Sequence, residues 1–305
     1  MFGAEEFLAC RAPRTVEVCD GGEAGAMPQV SGHPERWPCW IELATPNLTE
    51  SQQFYGRLFG WDFYVLTLTS QGELEVFTLG GIQGPEVASA RALADDTQPA
   101  SWTCWFRSDD LEDTIAAVLA AGGLELAEPD DVADLGRFAL CADSQGADFA
   151  VWNPYHLAGA GVVDEPSAPC WIELAARDVA AARRFYHAVF GWRPVDRGGG
   201  YTEFRVGEQP MAGLLPLGPR RRGLWPKKPA AQDQQRPAPY WMPYFEVADC
   251  DDAAARAVAL GATVQVAPTD VPPGRFAILS DPRGARLGLI TPNDPEVRDG
   301  FRRPA

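Results

Sequence analysis

The chain has 305 residues, which is enough for two domains that each bury a core, and 46% of these residues are hydrophobic. Its formal charge of −16 argues against nucleic acid or a membrane surface as a partner and favours a cationic small ligand, unless the acidity serves solubility alone. No apolar run approaches the roughly 18 residues of a membrane helix and the N-terminus lacks the apolar stretch of a secretory signal, so we expect a cytoplasmic protein.

The first predicted element belongs to a repeat. The segment PCWIELA occupies residues 38–44 and returns 131 positions later at residues 169–175. In both copies an Asn or Asp, a Phe-Tyr pair and a Phe-Gly-Trp triplet follow at matching spacing, and later a Trp-x3-Phe-x3-Asp segment and a Gly-Arg-Phe-Ala segment match as well. Two homologous domains are therefore predicted. The predicted segments are an extension at 1–36 that we expect to be flexible, a first domain at 37–156, a linker at 157–168, a second domain at 169–293 and a tail at 294–305.

Each domain is predicted to begin with a strand and a helix. CWIEL contains the β-branched and aromatic residues that strands favour, and Asn47 or Asp178 is a good N-cap for the helix that follows. Gly60 stands where a glycine would end that helix. A second strand and helix follow in each domain, with short strands between them, so we expect an α+β protein with four βαβββ modules.

These residues carry a resemblance to a known family. The order of strand, capping Asn or Asp, Phe-Tyr helix and a late turn at residues 281–284 (DPRG), with a looser copy at 143–146, resembles the vicinal-oxygen-chelate superfamily of glyoxalases, bleomycin-resistance proteins and dioxygenases. The duplication is similar to the two-domain members of bacterial antibiotic pathways. The resemblance implies curved mixed sheets with outer helices, in which paired modules form a half-barrel whose concave face holds the site.

The resemblance also implies where a metal would be bound. In the superfamily one metal ligand lies on the first strand, seven residues before the capping residue. Further metal ligands lie at the matching place in the second module and on the last strand. The matching residues in this chain are Trp40, Thr103, Ala150, Trp171, Met242 and Gly288, and the fourth ligand falls near Gly81 and Gly213. None of them is a His, carboxylate or thiolate donor. We therefore expect no metal and no other cofactor, which disfavours a metal-dependent glyoxalase or dioxygenase.

The alternation of side chains along strands predicts which residues share the concave face. In the first domain they are Trp40, Glu42, Thr103, Trp105, Arg107 and Trp152, and in the second Trp171, Glu173, Met242, Tyr244 and Glu246. The alternate residues of the first strands are predicted to lie in the core beneath the helices; they are Cys39, Ile41, Leu43, Cys170, Ile172 and Leu174.

Two interpretations of this face remain open. Trp and Tyr rings offer flat surfaces for a planar ligand, although large aromatic residues at strand spacing also serve as ordinary core. An inward carboxylate is unfavourable unless it is paired or used, so Glu42 and Glu173 either take part in a site or form salt bridges, with Arg107 or Arg286 as the candidate partners. In a site, either glutamate has the chemistry of a general base.

We expect a metal-free protein that binds a planar aromatic metabolite, neutral or cationic, such as an anthracycline-like polyketide, with an accessory or drug-sequestering role in an antibiotic pathway. The alternative is a metal-independent isomerase, cyclase or hydroxylase-like enzyme of polyketide tailoring that uses Glu42 or Glu173. The expected partners are the aromatic ligand and, by the resemblance, a tailoring oxygenase of the same pathway. We expect a monomer, because the two domains can pair within the chain. One basic loop is expected to be solvated or to cover a site; it holds Arg220, Arg221, Arg222, Lys227 and Lys228.

Overall fold

The computed structural model describes residues 30, 32–68, 72–217 and 238–293. The predictions for the extension before residue 30, for the basic loop at 220–228 and for the tail at 294–305 lie outside the described residues. No helix in the described part of the chain has the length and apolarity needed to cross a membrane.

The first half of the chain forms eight strands and two helices. In order they are β1 (Pro38–Thr45), α1 (Leu48–Phe59), β2 (Trp61–Leu68), β3 (Gly72–Leu79), β4 (Glu86–Ala92), β5 (Ser101–Arg107), α2 (Leu111–Ala120), β6 (Leu124–Val132), β7 (Gly136–Ala142) and β8 (Asp148–Pro154).

The second half repeats this order. Its elements are β9 (Pro169–Ala176), α3 (Val179–Phe190), β10 (Arg193–Gly198), β11 (Tyr201–Val206), β12 (Gln209–Pro216), β13 (Tyr240–Glu246), α4 (Cys250–Ala259), β14 (Thr263–Val271), β15 (Gly274–Ser280) and β16 (Arg286–Pro292). The predicted α+β class with four βαβββ modules is confirmed.

Each half is one curved mixed sheet of eight strands. The first sheet has the order β2-β3-β4-β1-β5-β8-β7-β6, and the second has the equivalent order β10-β11-β12-β9-β13-β16-β15-β14. The central strands β1 and β5 are antiparallel, while β1 with β4 and β5 with β8 are parallel. Two modules thus meet at the middle of each half-barrel, and the first strand of each module lies at its centre.

The helices begin and end where the sequence predicts. The Asn47 side chain accepts a hydrogen bond from the Glu50 amide at 3.1 Å, and Asp178 accepts one from Ala181 at 3.0 Å. Gly60 ends α1 in the left-handed conformation at φ 74°, which a residue without Cβ adopts at little energetic expense.

A buried chain of hydrogen bonds joins the two halves. The Tyr55 hydroxyl on α1 donates to Asp281 Oδ2 in the second half at 3.0 Å and accepts from Trp102 Nε1 at 3.2 Å. All three residues are buried. The Phe-Tyr pair and the DPRG turn, which are repeated motifs of the sequence, therefore stabilise the contact between halves.

The same contact occurs a second time with the halves exchanged. Tyr186 donates to Asp143 Oδ2 at 3.2 Å and accepts from Trp241 Nε1 at 2.9 Å. Phe59 packs on Phe245 with ring centroids 4.8 Å apart, and the mirror pair Phe106 and Phe190 are 5.2 Å apart. One apolar core beneath the helices thus includes residues of both halves.

Two cysteines correct the predicted alternation. Ile41, Leu43, Ile172 and Leu174 lie in the core beneath the helices as predicted. Cys39 and Cys170 do not lie there, because each is the extra residue of a β-bulge. Cys39 falls between Pro38 and Trp40, which both pair with β5, and Cys170 falls between the equivalent residues of β9, which pair with β13. Both pack instead in the apolar clusters around Trp40 and Trp171.

Hydrogen bonds join the segment before β1 to the connection between the halves. The Val30 amide donates to Gly161 O at 2.9 Å, and the buried His33 ring bonds Ala160 O at 3.0 Å. Gly159 has φ 131°, and a Cβ there would lie 2.4 Å from Cys39 O. This segment is thus packed closely against β1.

Candidate ligand-binding site

A cavity of about 140 Å³ opens on the concave side of the first sheet. It is lined by residues from β1 to β8 and from the connection that follows β8. The lining residues are Trp40, Glu42, Tyr64, Leu66, Leu68, Glu73, Leu74, Val76, Ser89, Arg91, Trp105, Val132, Leu135, Phe138, Leu140, Trp152, Leu157 and Gly159. Most of these side chains are apolar, and the polar ones are few, as is usual in sites for small molecules.

Three tryptophans of the predicted face, Trp40, Trp105 and Trp152, line this cavity. The Trp105 ring lies 5.6 Å from the Trp152 ring and 5.3 Å from the Phe138 ring, measured between centroids. Trp152 also depends on Gly136, because a Cβ at Gly136 would lie 2.3 Å from the Trp152 ring. The repeated Gly-Arg-Phe-Ala segment therefore supplies one aromatic wall, Phe138, and the room for another.

The indole donors of these tryptophans differ in their partners. Trp40 Nε1 donates to Ser89 Oγ at 2.9 Å, and Trp152 Nε1 donates to Leu157 O at 2.8 Å. Trp105 Nε1 is buried, and no acceptor in the described part of the chain lies within hydrogen-bonding distance of it.

Glu42 is the buried carboxylate of the cavity. It accepts from Arg91 Nε at 2.7 Å and from Ser89 Oγ at 3.3 Å. Burial raises the pKa of Glu42, and the charge of Arg91 opposes this rise only in part. A salt bridge does form, but with Arg91 of β4, so the predicted alternatives Arg107 and Arg286 are not its partners.

Arg107 and Thr103 lie outside the set of residues that line the cavity. The Arg107 guanidinium binds Asp109 at 2.8 Å and also donates to His33 O. Thr103 is the β5 partner of Glu42 in the sheet. The structure thus brings together four of the six residues predicted for the first concave face: Trp40, Glu42, Trp105 and Trp152.

The same face of the second half is filled by tyrosines. Tyr244 donates to Glu173 Oε2 at 2.6 Å, and Trp171 Nε1 donates to Tyr201 Oη at 3.1 Å. A Cβ at Gly213 would lie 2.3 Å from the Tyr201 hydroxyl, and a Cβ at Gly288 would lie 2.1 Å from the Tyr244 ring. The two tyrosines therefore occupy the space above both glycines.

The environment of this tyrosine cluster is polar and buried. Burial and the neighbouring Glu173 carboxylate raise the pKa of Tyr244 well above its usual value, so its hydroxyl keeps the proton that it donates. Glu203 lies on β11 and forms salt bridges with Arg197 at 2.8 Å and with Arg205. Its counterpart in the first half is Val76, an apolar wall of the cavity.

The other residues predicted for the second concave face have described neighbours of their own. Met242 packs with Tyr244 in a small apolar cluster. Glu246 is buried at the end of β13, where its backbone bonds Ser167 and Ala168. Arg286 lies over the Tyr240 ring, 4.4 Å from its centroid, while Glu173 accepts a hydrogen bond from Tyr244.

The positions implied for a metal lack suitable donors in both halves. The strand register changes the residue that stands at the fourth ligand position of the first half. In the second half Gly213 pairs with Glu173, and in the first half the residue that pairs with Glu42 is Ser89. Gly81, the residue predicted for this position, lies in the turn before β4. Within the described ranges, no group of three or more His, Cys, Asp or Glu residues is arranged to hold a metal ion. The residues present thus do not fit the metal of the superfamily.

Sequence reasoning missed most of the cavity wall. Arg91 and Ser89 lie on β4, whose position relative to β1 depends on a parallel pairing that the sequence does not reveal. Leu157 and Gly159 belong to the connection predicted as a linker. Phe138 had a usable signal, because it belongs to a repeated motif that forms the start of β7.

Comparison with known proteins agrees with this architecture. The model of the Glyoxalase/Bleomycin resistance protein/Dioxygenase superfamily matches residues 170–289. The chain is 35% identical over 281 residues to the anthracycline biosynthesis protein DnrV of Streptomyces peucetius and 34% identical to DauV of Streptomyces sp. strain C5; each match covers 87% of this chain and 94% of the relative. The Mn(II)-bound glyoxalase of Novosphingobium aromaticivorans has the same fold, with a TM-score of 0.57 at 16% identity over 85% of this chain and 83% of that chain. Together with the two half-barrels of four βαβββ modules, these matches establish that the chain belongs to the glyoxalase/bleomycin resistance protein/dioxygenase superfamily.

Proposed function

We propose that this protein binds a planar aromatic metabolite in the cavity of its first half, without a metal, and that it serves an antibiotic-biosynthesis pathway as an accessory or drug-sequestering protein. The observation that carries the proposal is the cavity walled by Trp40, Trp105 and Trp152. Flat indole surfaces in an apolar cavity favour stacking on a planar ligand. The similarity to DnrV, an anthracycline biosynthesis protein, supports the pathway and suggests a polyketide of that class.

The size of the cavity limits how much of the ligand it encloses. At about 140 Å³ the cavity resembles in size those that hold a benzene-like molecule, so it accommodates one or two fused rings. A larger polyketide must therefore extend beyond the cavity. This geometry suits a protein that holds one end of its ligand and leaves the other end accessible, and an oxygenase that acts on the exposed end remains a prediction.

The charge of the cavity does not by itself require a cation. Glu42 is neutralised by Arg91, so the inner wall offers no uncompensated carboxylate. Glu73 lines the cavity as an exposed residue, and a cationic substituent of the ligand would meet it there. The net charge of −16 adds a general attraction for cations.

The contrast between the halves supports the first half as the site of the ligand. Tyr201 and Tyr244 fill the second concave face, and their hydroxyl groups are engaged with Trp171 and Glu173. A ligand entering there would have to break these buried hydrogen bonds.

An anthracycline titration tests this proposal with a pair of matched variants. We expect the wild type to bind the anthracycline with quenching of Trp fluorescence and to leave the compound chemically unchanged. Trp40→Phe removes part of a stacking surface and should weaken binding about three- to tenfold, whereas Trp171→Phe, the same change in the second half, should leave the affinity unaltered. Equal losses in the two variants, or no binding by the wild type, would refute the proposal.

A second candidate function is a metal-independent enzyme that uses Glu42 as a general base. The raised pKa of Glu42 favours this role, since it makes the carboxylate a stronger base than an exposed glutamate. Glu173 is less suitable, because it already accepts the Tyr244 hydroxyl. Chromatographic separation with mass analysis of the incubated mixture separates the candidates: conversion by the wild type that is abolished in Glu42→Gln supports the enzyme and contradicts binding alone.

A further inference from the structure

The indole N–H of Trp105 is the feature of the cavity that its own protein surroundings do not explain. Trp105 is 5% exposed and lies on β5, at the centre of the sheet. Its Nε1 atom is buried, and the described residues provide no acceptor for it. Buried Trp N–H groups ordinarily find a hydrogen-bond partner.

Four polar side chains on the inner wall of the cavity are engaged with one another. Trp40 donates to Ser89, Ser89 donates to Glu42, and Arg91 Nε donates to Glu42, so these four residues are linked by hydrogen bonds. Trp152 donates to the backbone. Among the donors of the residues that line the cavity, the N–H of Trp105 is buried and makes no hydrogen bond with the described residues, whereas the terminal N–H groups of Arg91 belong to a side chain that is 45% exposed.

In the second half, the donor at the position equivalent to Trp105 has a hydrogen-bond acceptor within the protein. Tyr244 is the counterpart of Trp105, because each is opposite the first Trp of the central strand, at Trp171 and Trp40 respectively. The Tyr244 hydroxyl donates to Glu173 at 2.6 Å, and that face is filled. Both halves thus place a donor at this position of the sheet, but among the described residues only the second half has a side chain that accepts its hydrogen bond.

We infer that Trp105 selects ligands that carry an oxygen acceptor on the enclosed aromatic ring, such as an aryl ketone, a quinone or a phenolate. The inference rests on the proposed function and specifies its ligand: the ring lies between the apolar walls, and its oxygen accepts from Trp105 Nε1. Trp105 is then a specificity residue for acceptor-bearing ligands. A hydrocarbon of the same shape fills the cavity but leaves the donor unsatisfied.

The test compares 1-indanone with indane, two bicyclic molecules that differ by one carbonyl oxygen and fit a cavity of this size. Affinities are measured for the wild type, Trp105→Phe and, as a matched loss of one indole, Trp171→Phe. We expect the ratio of the indane Kd to the 1-indanone Kd to fall about fivefold in Trp105→Phe and to stay unchanged in Trp171→Phe.

A spectroscopic measurement on the wild type keeps the inference falsifiable if Trp105→Phe does not fold. The indole N–H resonance of Trp105 should move downfield with 1-indanone and not with indane, because only the ketone accepts its proton. Binding of both compounds without this difference, or with the same Kd ratio in the wild type and Trp105→Phe, would overturn the inference while the proposed function stands. Failure of both compounds and of the anthracycline to bind would overturn the proposed function itself.

Discussion

Glu42 is held in the cavity wall by Arg91 and Ser89, yet its pKa is raised. The reason is that burial removes the carboxylate from water, and the single partially exposed guanidinium does not fully compensate for the lost hydration. The neutral form of Glu42 is consequently more favourable in the folded protein than in the unfolded chain.

This shift predicts how stability depends on pH. The unfolded chain loses the Glu42 proton near the ordinary pKa of 4.5, before the folded protein does. The contribution of Glu42 to the free energy of unfolding is therefore fully present below pH 4.5 and is lost as the pH rises through the folded-state pKa.

Denaturant unfolding at about pH 4 and about pH 8 measures the effect. The wild type should lose stability relative to Glu42→Gln as the pH rises. Glu128→Gln, which removes an exposed carboxylate, is the matched control for the change in net charge. A difference between the wild type and Glu42→Gln that moves in the opposite direction would mean that Arg91 outweighs burial.

At this scale the sequence revealed the inward residues of the first strand but not their partners. Trp40 and Glu42 follow from alternation within one strand, which is a local property. Arg91 and Ser89 come from β4, and their approach to Glu42 depends on a parallel pairing across the whole first module. The choice between a paired and a free glutamate therefore needed the tertiary structure.

Among the elements, β1 and β9 show how far a repeated sequence determines its surroundings. Both contain PCWIELA, both carry a bulge at the cysteine and both are followed by a capped helix. The strand, the helix and their order were predictable because they depend on local propensity and capping. The bulges were not, since a bulge is a property of the pairing with a neighbouring strand, and the two cysteines were misplaced for that reason.

Capping of α1 gives a prediction at the level of the element. Replacing Asn47 by Ala leaves the Glu50 amide without the side-chain acceptor that now lies 3.1 Å away. We expect the free energy of unfolding to fall by about 1 kcal/mol, measured by urea denaturation.

The control for this variant is Thr49→Ala, an exposed change within the first turn of the same helix. It should alter stability by less than about 0.5 kcal/mol. Equal losses in the two variants would mean that the loss does not come from the cap, since alanine itself favours the helix.

In the whole molecule, the two halves exchange Tyr and Asp side chains across one shared core. The sequence made Phe-Tyr and the DPRG turn visible as family motifs, but it gave no sign that Tyr55 and Asp281, 226 positions apart, would meet. Their contact depends on how two complete half-barrels dock. The expectation of a monomer stays a prediction, although this docking gives each half a partner within the chain.

Tyr55→Phe tests the importance of this contact. The substitution removes the donor to Asp281 and the acceptor for Trp102, which leaves the buried indole N–H of Trp102 without its present partner. We expect a loss of about 1–3 kcal/mol in the free energy of unfolding, seen as a shift of one cooperative transition because the core spans both halves.

Tyr155→Phe is the matched control for this variant. Its hydroxyl bonds Asp131 at an exposed site, so its removal should change stability by less than about 0.5 kcal/mol. Two separate transitions in Tyr55→Phe would instead indicate halves that unfold independently.

The crossed contacts lie beneath the helices, whereas the cavity lies on the opposite surface of the same strands. The alternate residues of a strand such as β1 therefore face two different surroundings. Ile41 and Leu43 pack in the core shared by the two halves, while Trp40 and Glu42 line the cavity of the half-barrel. Mutations on the concave side can accumulate without loosening the union of the halves. The shape of the concave side and the docking of the halves are therefore set by different residues of the same strand, so a substitution at one need not disturb the other.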